Sequence, residues 1–297
     1  MSTEIEVFRP VDIAPDAPEA PNDDQLIELW LHERSHHTQR AYRADVERFR
    51  SRAGKPLPAV TLADLQNFAR SLTEGAAASH YRTLSAVKSL LAFGHRLGYL
   101  PFDVGRALRL PSVRNRLNER ILSEADLHRI LSLEPNPRNR AILTLLYASG
   151  VRVSELCALA WRDLQPNGEG GQITVFGKGN VTRSIQLPAS VWQLLLALQP
   201  ENATPGEAVF HSRKQTKNRG FLQPVAILRI VRAATKRAGI DLPVSPHWFR
   251  HAHASHALDR GAPIHLVQAT LGHVSVATTG RYLHARPQDS SSRFLPL

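Results

Sequence analysis

A tyrosine near the C-terminal end of the chain follows several basic residues in the sequence. Tyr282 follows His273 by nine residues, and a second segment, Pro246-His247-Trp248-Phe249-Arg250, lies upstream. A tyrosine hydroxyl is a poor nucleophile until its pKa falls below the usual value of about 10. Basic groups around a phosphodiester could lower it. These residues therefore suggest a phosphate-handling site with a tyrosine nucleophile.

An arginine in the middle of the chain could also contact a phosphate. In the segment Ser149-Gly150-Val151-Arg152-Val153-Ser154-Glu155-Leu156, Gly150 can end one helix and Ser154 can lie in the first turn of the next. Arg152 would then occupy the tight connection, held by Glu155. A purely structural Arg152–Glu155 ion pair is the ordinary alternative.

Most of the remaining candidates, taken one at a time, have an ordinary structural explanation. Lys178, at the tip of a predicted hairpin, is typical of a solvated charge, whereas His247 and Arg250 share one helix face at spacing i, i+3. His273, after Gly272, is typical of a buried, hydrogen-bonded histidine, and Tyr282 of a half-buried aromatic.

Three further histidines, His251, His253 and His256, resemble a metal-ligand cluster. Carboxylates and cysteines are missing beside them, and the His-Glu-x-x-His pattern is absent. We therefore predict no metal site, and we expect His251 and His256 to be packing residues or supports of the site.

Helices must position most of these groups. The N-terminal part predicts helices from Leu26, from near Thr38, from Thr61 and over 81–97, with Thr61 and Asp64 resembling a capping box. The C-terminal part predicts helices from Ser123, from Asn136, and over 191–198, 225–238, 247–258, 264–271 and 276–283. Two strands, 172–176 and 182–187, are joined there by Gly177-Lys178-Gly179-Asn180.

The composition fits a folded, basic protein of two domains. The 297 residues include 37 Lys or Arg and 26 Asp or Glu, a formal net charge of +11. This excess fits a nucleic-acid partner, although arginine enrichment from genomic base composition is an equal alternative. The lone Cys157 favours a reducing compartment. No apolar run approaches the roughly 20 residues that span a bilayer, and no signal peptide is visible. We expect a cytoplasmic location, without membrane contact.

The joint order of six residues resembles the tyrosine recombinase (phage integrase) family, of the two-domain Xer-like type. The six are Arg152, Lys178, His247, Arg250, His273 and Tyr282. The resemblance implies a mainly α fold with a small antiparallel β-sheet in the C-terminal domain, arranged as a two-domain DNA clamp. The expected parts are a flexible lead-in (1–22), a helical core-binding domain (23–106), a basic linker (107–121), a catalytic domain (122–286) and a C-terminal tail (287–297).

The resemblance also implies a reaction. Tyr282 would attack a DNA phosphodiester, leaving a 3′-phosphotyrosine and a free 5′-hydroxyl, and strands would exchange through a Holliday junction without ATP, metal or another cofactor. Arg152 and Arg250 would clamp the nonbridging oxygens, and Lys178 would protonate the leaving oxygen.

The remaining roles implied are supporting ones. His247 would accept the Tyr282 proton or donate to the phosphate, His273 would position the phosphate, and Glu155 would orient Arg152 or a nearby histidine. The residues expected to bind DNA are Thr38, Arg40, Tyr42, Arg43, Arg114 and Arg116.

The implied partners are double-stranded DNA and further protomers. Recombination would use a homo- or hetero-tetramer on synapsed DNA, with a partner recombinase in the second case and nucleoid association in either. Phe294, Leu295 and Leu297 would dock in a neighbouring protomer, with a frayed terminus as the alternative. The sequence departs from relatives at His253, where an aromatic or aliphatic residue is frequent, and in its short tail.

Two other functions remain as alternatives. A type IB topoisomerase uses similar phosphotyrosine chemistry but rejoins the same strand. A DNA-binding relative could have kept the fold and lost the chemistry. The two-domain size and the helical N-terminal half favour the recombinase over the first, and the intact set of six residues argues against the second.

Overall fold

The chain forms two compact units, residues 1–114 and 115–297. The computed structural model describes residues 22–73, 76–112, 117–177, 182–212 and 220–283. Among these residues, no helix has the length and apolar character needed to cross a membrane.

The described part of the N-terminal unit has four α-helices. They are α1 (Asp23–Leu31), α2 (His36–Ala53), α3 (Leu62–Ser71) and α4 (Ala77–Arg96). The predicted capping box is present at the start of α3, where Thr61 accepts from the Asp64 backbone and the Asp64 carboxylate accepts from the Thr61 backbone. Phe49 and Phe68 meet edge to face in the core, with ring centroids 5.2 Å apart.

Three helix starts in this unit precede the predicted ones. Helix α1 begins at Asp23 rather than at Leu26, and helix α2 begins at His36, two residues before Thr38. Helix α4 begins at Ala77, four residues before Tyr81. The first turn of α4 is largely exposed alanine and serine, so it carries no apolar periodicity that would mark it in the sequence.

The C-terminal unit has eight helices in its described part. They are α5 (Glu124–Ser132), α6 (Pro137–Ser149), α7 (Val153–Ala158), α8 (Ala189–Leu196), α9 (Pro224–Arg237), α10 (Pro246–Asp259), α11 (Ile264–Leu271) and α12 (Val276–Gly280). Its core includes Cys157, where burial raises the pKa of the thiol to about 11. Cys157 is therefore a core thiol, as predicted.

A small antiparallel sheet packs within this unit. Strands β1 (Leu164–Asn167), β2 (Gly170–Phe176) and β3 (Thr182–Leu187) follow the order β1-β2-β3. Ile173 of β2 pairs with Ile185 of β3, and both side chains are buried. The predicted fold class, mainly α with a small antiparallel sheet, is confirmed.

The prediction of two strands was incomplete, and the last helix is shorter than expected. Strand β1 contains Pro166 and is mostly exposed, which is typical of an edge strand but not of a strand that can be recognised by alternation. Helix α12 ends at Gly280 rather than at Leu283, so Tyr282 lies after the helix. Glycine is a weak helix former, which fits this early end.

Candidate active site

The connection between α6 and α7 places Arg152 as the sequence predicted. Helix α6 ends at Gly150, which has a left-handed φ of 58°. A Cβ there would lie 2.7 Å from Leu271 Cδ2 and 2.8 Å from His253 Cδ2. Arg152 then precedes the first turn of α7, and its backbone N–H donates to Glu155 Oε2 at 2.7 Å. Glycine is required here both by the backbone angle and by the close packing.

Glu155 is the centre of a buried charge network. Its carboxylate accepts from Arg152 Nη1 at 2.8 Å and from Arg183 Nη1 and Nη2 at 2.9 and 2.8 Å. Burial alone would raise the pKa of Glu155, but the hydrogen bonds from Arg183 and Arg152 lower it overall. Glu155 therefore stays ionised and holds Arg152 in place.

Arg183 is a residue of this network that the sequence reasoning missed. It lies on β3, its side chain is 9% exposed, and its Nε donates to the Thr270 carbonyl at 2.7 Å. A signal was available, because Arg183 alternates with Ile185 and Leu187 and so lies on the inward face of the strand. A charge on an inward face requires a buried partner.

Arg250 joins two elements of the site. It is 5% exposed, and it donates from Nη1 to the Gly150 carbonyl and from Nη2 to the Leu271 carbonyl, both at 2.6 Å. Burial, followed by the positive charge of Arg152, lowers the pKa of Arg250 to about 10. Arg250 therefore remains charged at neutral pH and ties the end of α6 to the end of α11.

The two predicted catalytic histidines differ in their surroundings. The His247 ring is exposed, yet the protein around it displaces solvent and, with the charges of Arg250 and Arg152, lowers its pKa. His273 is half-buried and its Nδ1 lies 2.8 Å from Thr279 Oγ1. Burial, followed by the same two arginines, lowers the pKa of His273 to about 4. His273 is therefore neutral at pH 7.

Tyr282 is buried, with 5% of its surface exposed. Its ring belongs to a small apolar cluster with Ala254, Val267 and Leu271. Burial raises the pKa of Tyr282 and outweighs the nearby charges of Arg250 and Arg281, which lower it. The two arginines lower this pKa, as expected of basic groups, but burial outweighs them, and the hydroxyl is protonated at neutral pH.

The histidine cluster has three separate sets of contacts. His251 Nδ1 lies 2.8 Å from the Tyr282 hydroxyl, His253 Nδ1 lies 2.8 Å from the Tyr147 carbonyl, and His256 Nδ1 lies 3.0 Å from the Tyr147 hydroxyl. Among the described residues, no group of three His, Cys, Asp or Glu side chains could hold a metal. The sequence reasoning placed His251 in packing or support, and did not identify its direct contact with the tyrosine.

Several of the predicted site residues are not described by the structure or belong to the N-terminal unit. Lys178, Arg114 and Arg116 lie outside the described residues. In the N-terminal unit, Arg40 is exposed, Thr38 is hydrogen-bonded to Ser35 at 2.9 Å, Tyr42 stacks on Trp30 at 5.3 Å, and Arg43 donates to Glu28 at 2.8 Å. These contacts leave the DNA-binding assignments as predictions.

Two family models match the chain. The phage integrase family model matches residues 120–289, and the model of the phage integrase N-terminal SAM-like domain matches residues 25–98. The two matches together include all six predicted catalytic residues and most of the helical N-terminal unit.

Individual relatives and a solved structure agree with these matches. The chain is 28% identical to a tyrosine recombinase of Thermosipho africanus over 283 residues, covering 90% of this chain and 97% of the relative. It is 32% identical to the tyrosine recombinase XerC of Myxococcus xanthus over 269 residues, covering 84% of this chain and 87% of the relative. The fold is similar to that of the XerH site-specific recombinase bound to its palindromic difH substrate in a post-cleavage complex. That match has a TM-score of 0.72 at 20% identity, covering 91% of this chain and 83% of the other.

The catalytic-domain model alone covers more than half of the chain, and the XerC relative exceeds 30% identity over most of both sequences. The chain belongs to the phage integrase family of tyrosine recombinases, enzymes of site-specific DNA recombination that act through a covalent tyrosine intermediate.

Proposed function

We propose that Tyr282 is the nucleophile of this recombinase and that Arg152, Arg250 and His273 bind the scissile phosphate. The observation that carries this proposal is the convergence of these groups on three consecutive residues. Arg250 donates to the Leu271 carbonyl at 2.6 Å, Arg152 Nη2 donates to the Gly272 carbonyl at 3.3 Å, and His273 is the next residue.

The two arginines suit the charge that develops during phosphoryl transfer. As the Tyr282 oxygen bonds to phosphorus, negative charge grows on the nonbridging oxygens. Planar guanidiniums that are held in place before the reaction stabilise this charge with little reorganisation. Arg152 is anchored by Glu155 while about a third of its side chain, 33%, stays exposed, so it can reach a phosphate. Arg250 would act from its buried position, where it also holds the backbone at Gly150 and Leu271.

The leaving 5′-oxygen needs a proton, and we assign this role to Lys178. Lysine has a transferable proton, whereas arginine effectively does not lose one at neutral pH. In the sequence Lys178 falls between the residues of β2 and those of β3, and Arg183 of β3 donates to Glu155 at 2.8 Å. The neutral His273 would donate to the phosphate, and the exposed His247 would donate to it as well.

The substrate and assembly follow the family. The related lambda integrase has been solved as a tetramer bound to a Holliday junction, and XerH bound to its difH substrate. We propose that this chain likewise acts on double-stranded DNA at the nucleoid, as a tetramer of its own copies or with a partner recombinase. Arg40, Arg114 and Arg116 would contact the DNA backbone. Residues 290–297 would dock in a neighbouring protomer. In this proposal, residues 23–106 form the domain that binds DNA, and residues 122–286 form the catalytic domain.

The first step of the experiment is to find the target DNA, which is recovered through its covalent bond to the protein. DNA that remains bound to the protein through SDS is recovered from cells and sequenced, and the recovered site is placed twice in one plasmid. Resolution of that plasmid into two circles supports recombination. Relaxation of supercoils without resolution indicates a topoisomerase-like activity, and binding without an SDS-stable adduct indicates a silent relative; either result overturns the proposal.

A further inference from the structure

The Tyr282 hydroxyl has a histidine partner that the proposed mechanism does not yet use. His251 Nδ1 lies 2.8 Å from the hydroxyl oxygen, and the two ring centroids are 5.8 Å apart. The tyrosine is held there by its apolar cluster and by its backbone N–H, which donates to the Thr279 carbonyl at 3.0 Å. His251 lies on α10 next to Arg250, whose side chain is anchored at both ends of its guanidinium. Both partners are therefore fixed by their surroundings.

The other histidines of the site have different positions. His247 lies one turn earlier on α10 with an exposed ring, and His273 is hydrogen-bonded to Thr279. Among the described contacts, the Tyr282 hydroxyl is hydrogen-bonded to His251 and not to His247. A general base must lie within hydrogen-bond reach of the proton that it takes, a condition that His251 meets.

The electrostatic surroundings keep both groups neutral. The groups that act on the His251 ring are Arg120, from the turn before α5, His247 and Arg250, from its own helix, and His273, from the far end of α11. Burial, followed by the charges of His247, Arg120 and Arg250, lowers the pKa of His251 to about 4, while burial raises the pKa of Tyr282. At neutral pH an unprotonated imidazole therefore faces a protonated phenol, which is the state that base catalysis needs.

We propose that His251 is the general base of the cleavage step, accepting the Tyr282 proton at Nδ1 as the phenolic oxygen attacks the scissile phosphate. This rests on the proposed function. The Tyr282 O–P bond forms and the P–O5′ bond breaks, while the phenolic proton moves to His251 and Lys178 protonates the 5′-oxygen. In the joining step a 5′-hydroxyl attacks, Lys178 takes its proton, and His251 returns its own proton to the leaving tyrosine oxygen.

The transfer must accompany bond formation rather than precede it. A phenol with a raised pKa does not lose its proton to an imidazole with a lowered one while the oxygen is free. The oxygen becomes far more acidic as it bonds to phosphorus, so a positioned acceptor is useful at that moment. General base catalysis of this kind contributes about 10²- to 10⁴-fold in rate.

The test separates holding the hydroxyl from taking its proton. His251→Asn places an amide oxygen near the position of Nδ1, so it keeps a hydrogen-bond acceptor but removes the basic nitrogen. His251→Ala leaves a space that imidazole can fill. His128→Asn, at an exposed site on α5, is the matched control. Each variant is checked for its thermal unfolding midpoint and its DNA affinity before cleavage is measured.

The measurement is single-turnover cleavage of a nicked suicide duplex that carries the recovered site. We expect wild-type and H128N rates that stay level between about pH 6 and pH 9. We expect H251N to be about 10²-fold slower or more at pH 7, with a rate that rises about tenfold per pH unit as the free phenol ionises. Added imidazole should speed H251A, and a bridging 5′-thiolate should rescue K178A but not H251N.

Two results would overturn the proposal. One is an H251N or H251A rate equal to that of the wild type without imidazole, and the other is a slow H251N rate with a level pH profile, which would mean that His251 only positions the hydroxyl. The covalent adduct separates a failure of the His251 assignment from a failure of the proposed function. An SDS-stable adduct at Tyr282 with a fast H251N removes the base assignment alone, whereas an adduct in Y282F removes the proposed function.

Discussion

Replacement of Arg183 should reduce both stability and cleavage, for reasons that can be separated. The side chains of Arg183 and Glu155 are 9% and 3% exposed, and Arg183→Met removes the hydrogen bonds from its guanidinium to Glu155 together with the one to Thr270. Removing one partner of a buried ion pair costs about 3–5 kcal/mol, because the other charge stays buried. Arg152 still contacts Glu155, so we expect the free energy of unfolding to fall by about 3 kcal/mol, the lower end of this range.

The assay combines urea unfolding at neutral pH with single-turnover cleavage well below the unfolding transition. In the double variant R183M/E155Q the uncompensated charge is gone, so about half of the lost stability should return. Cleavage should be low in both variants, because R183M removes the side chain that holds the Glu155 carboxylate against Arg152, and E155Q also removes its charge. Arg162→Met, at a side chain that is 70% exposed, is the control and should change stability by less than about 0.5 kcal/mol. An R183M protein with wild-type stability, or one that is destabilised but cleaves at the wild-type rate, would refute this reasoning.

Three further changes test other parts of the site. Gly150→Ala should cost about 1–3 kcal/mol in urea unfolding, because the φ of 58° and the 2.7 Å approach of Leu271 both oppose a Cβ. Gly98→Ala, with a φ of 70° but open space, should cost less, and equal losses would contradict the packing argument. The folded pKa values of His251 and His273 are about 4, below the usual value, so the unfolded chain binds protons first as the solution is acidified. Stability should therefore fall as pH drops from about 6.5 to about 4, with a shallower fall in H273N, and a constant urea midpoint across this range would be inconsistent with the buried neutral rings. Lys178→Ala should lose cleavage of ordinary DNA and regain it on a 5′-thiolate substrate, whereas failure of that rescue would count against Lys178 as the acid.

Local signals made several features predictable from the sequence. The capping box of Thr61 and Asp64 involves residues three positions apart, and the left-handed Gly150 ends its helix through its own backbone angle. The strand pair β2 and β3 is close in sequence and alternates in burial. Such features depend on a few neighbouring residues, so they can be identified before the fold is known.

The contacts that the sequence did not predict join residues far apart in the chain. His251 meets Tyr282 across 31 positions, and Arg183 meets Glu155 across 28. The raised pKa of Tyr282 likewise depends on burial among residues of α10 and α11. Strand β1 was missed for a different reason, because Pro166 and its exposed surface hide an edge strand that pairs well with β2. Burial and partners depend on the packed fold rather than on local composition.

The central claim is that Tyr282 forms the covalent bond to DNA, and its most direct test is to locate that bond. Wild-type protein is incubated with the nicked suicide duplex, the SDS-stable product is digested, and the nucleotide-bearing peptide is identified by mass spectrometry. We predict a 3′-linked nucleotide on Tyr282, and a Y282F protein that binds the same duplex with similar affinity but forms no adduct. An adduct on another residue, or an SDS-stable adduct in Y282F, would contradict the account.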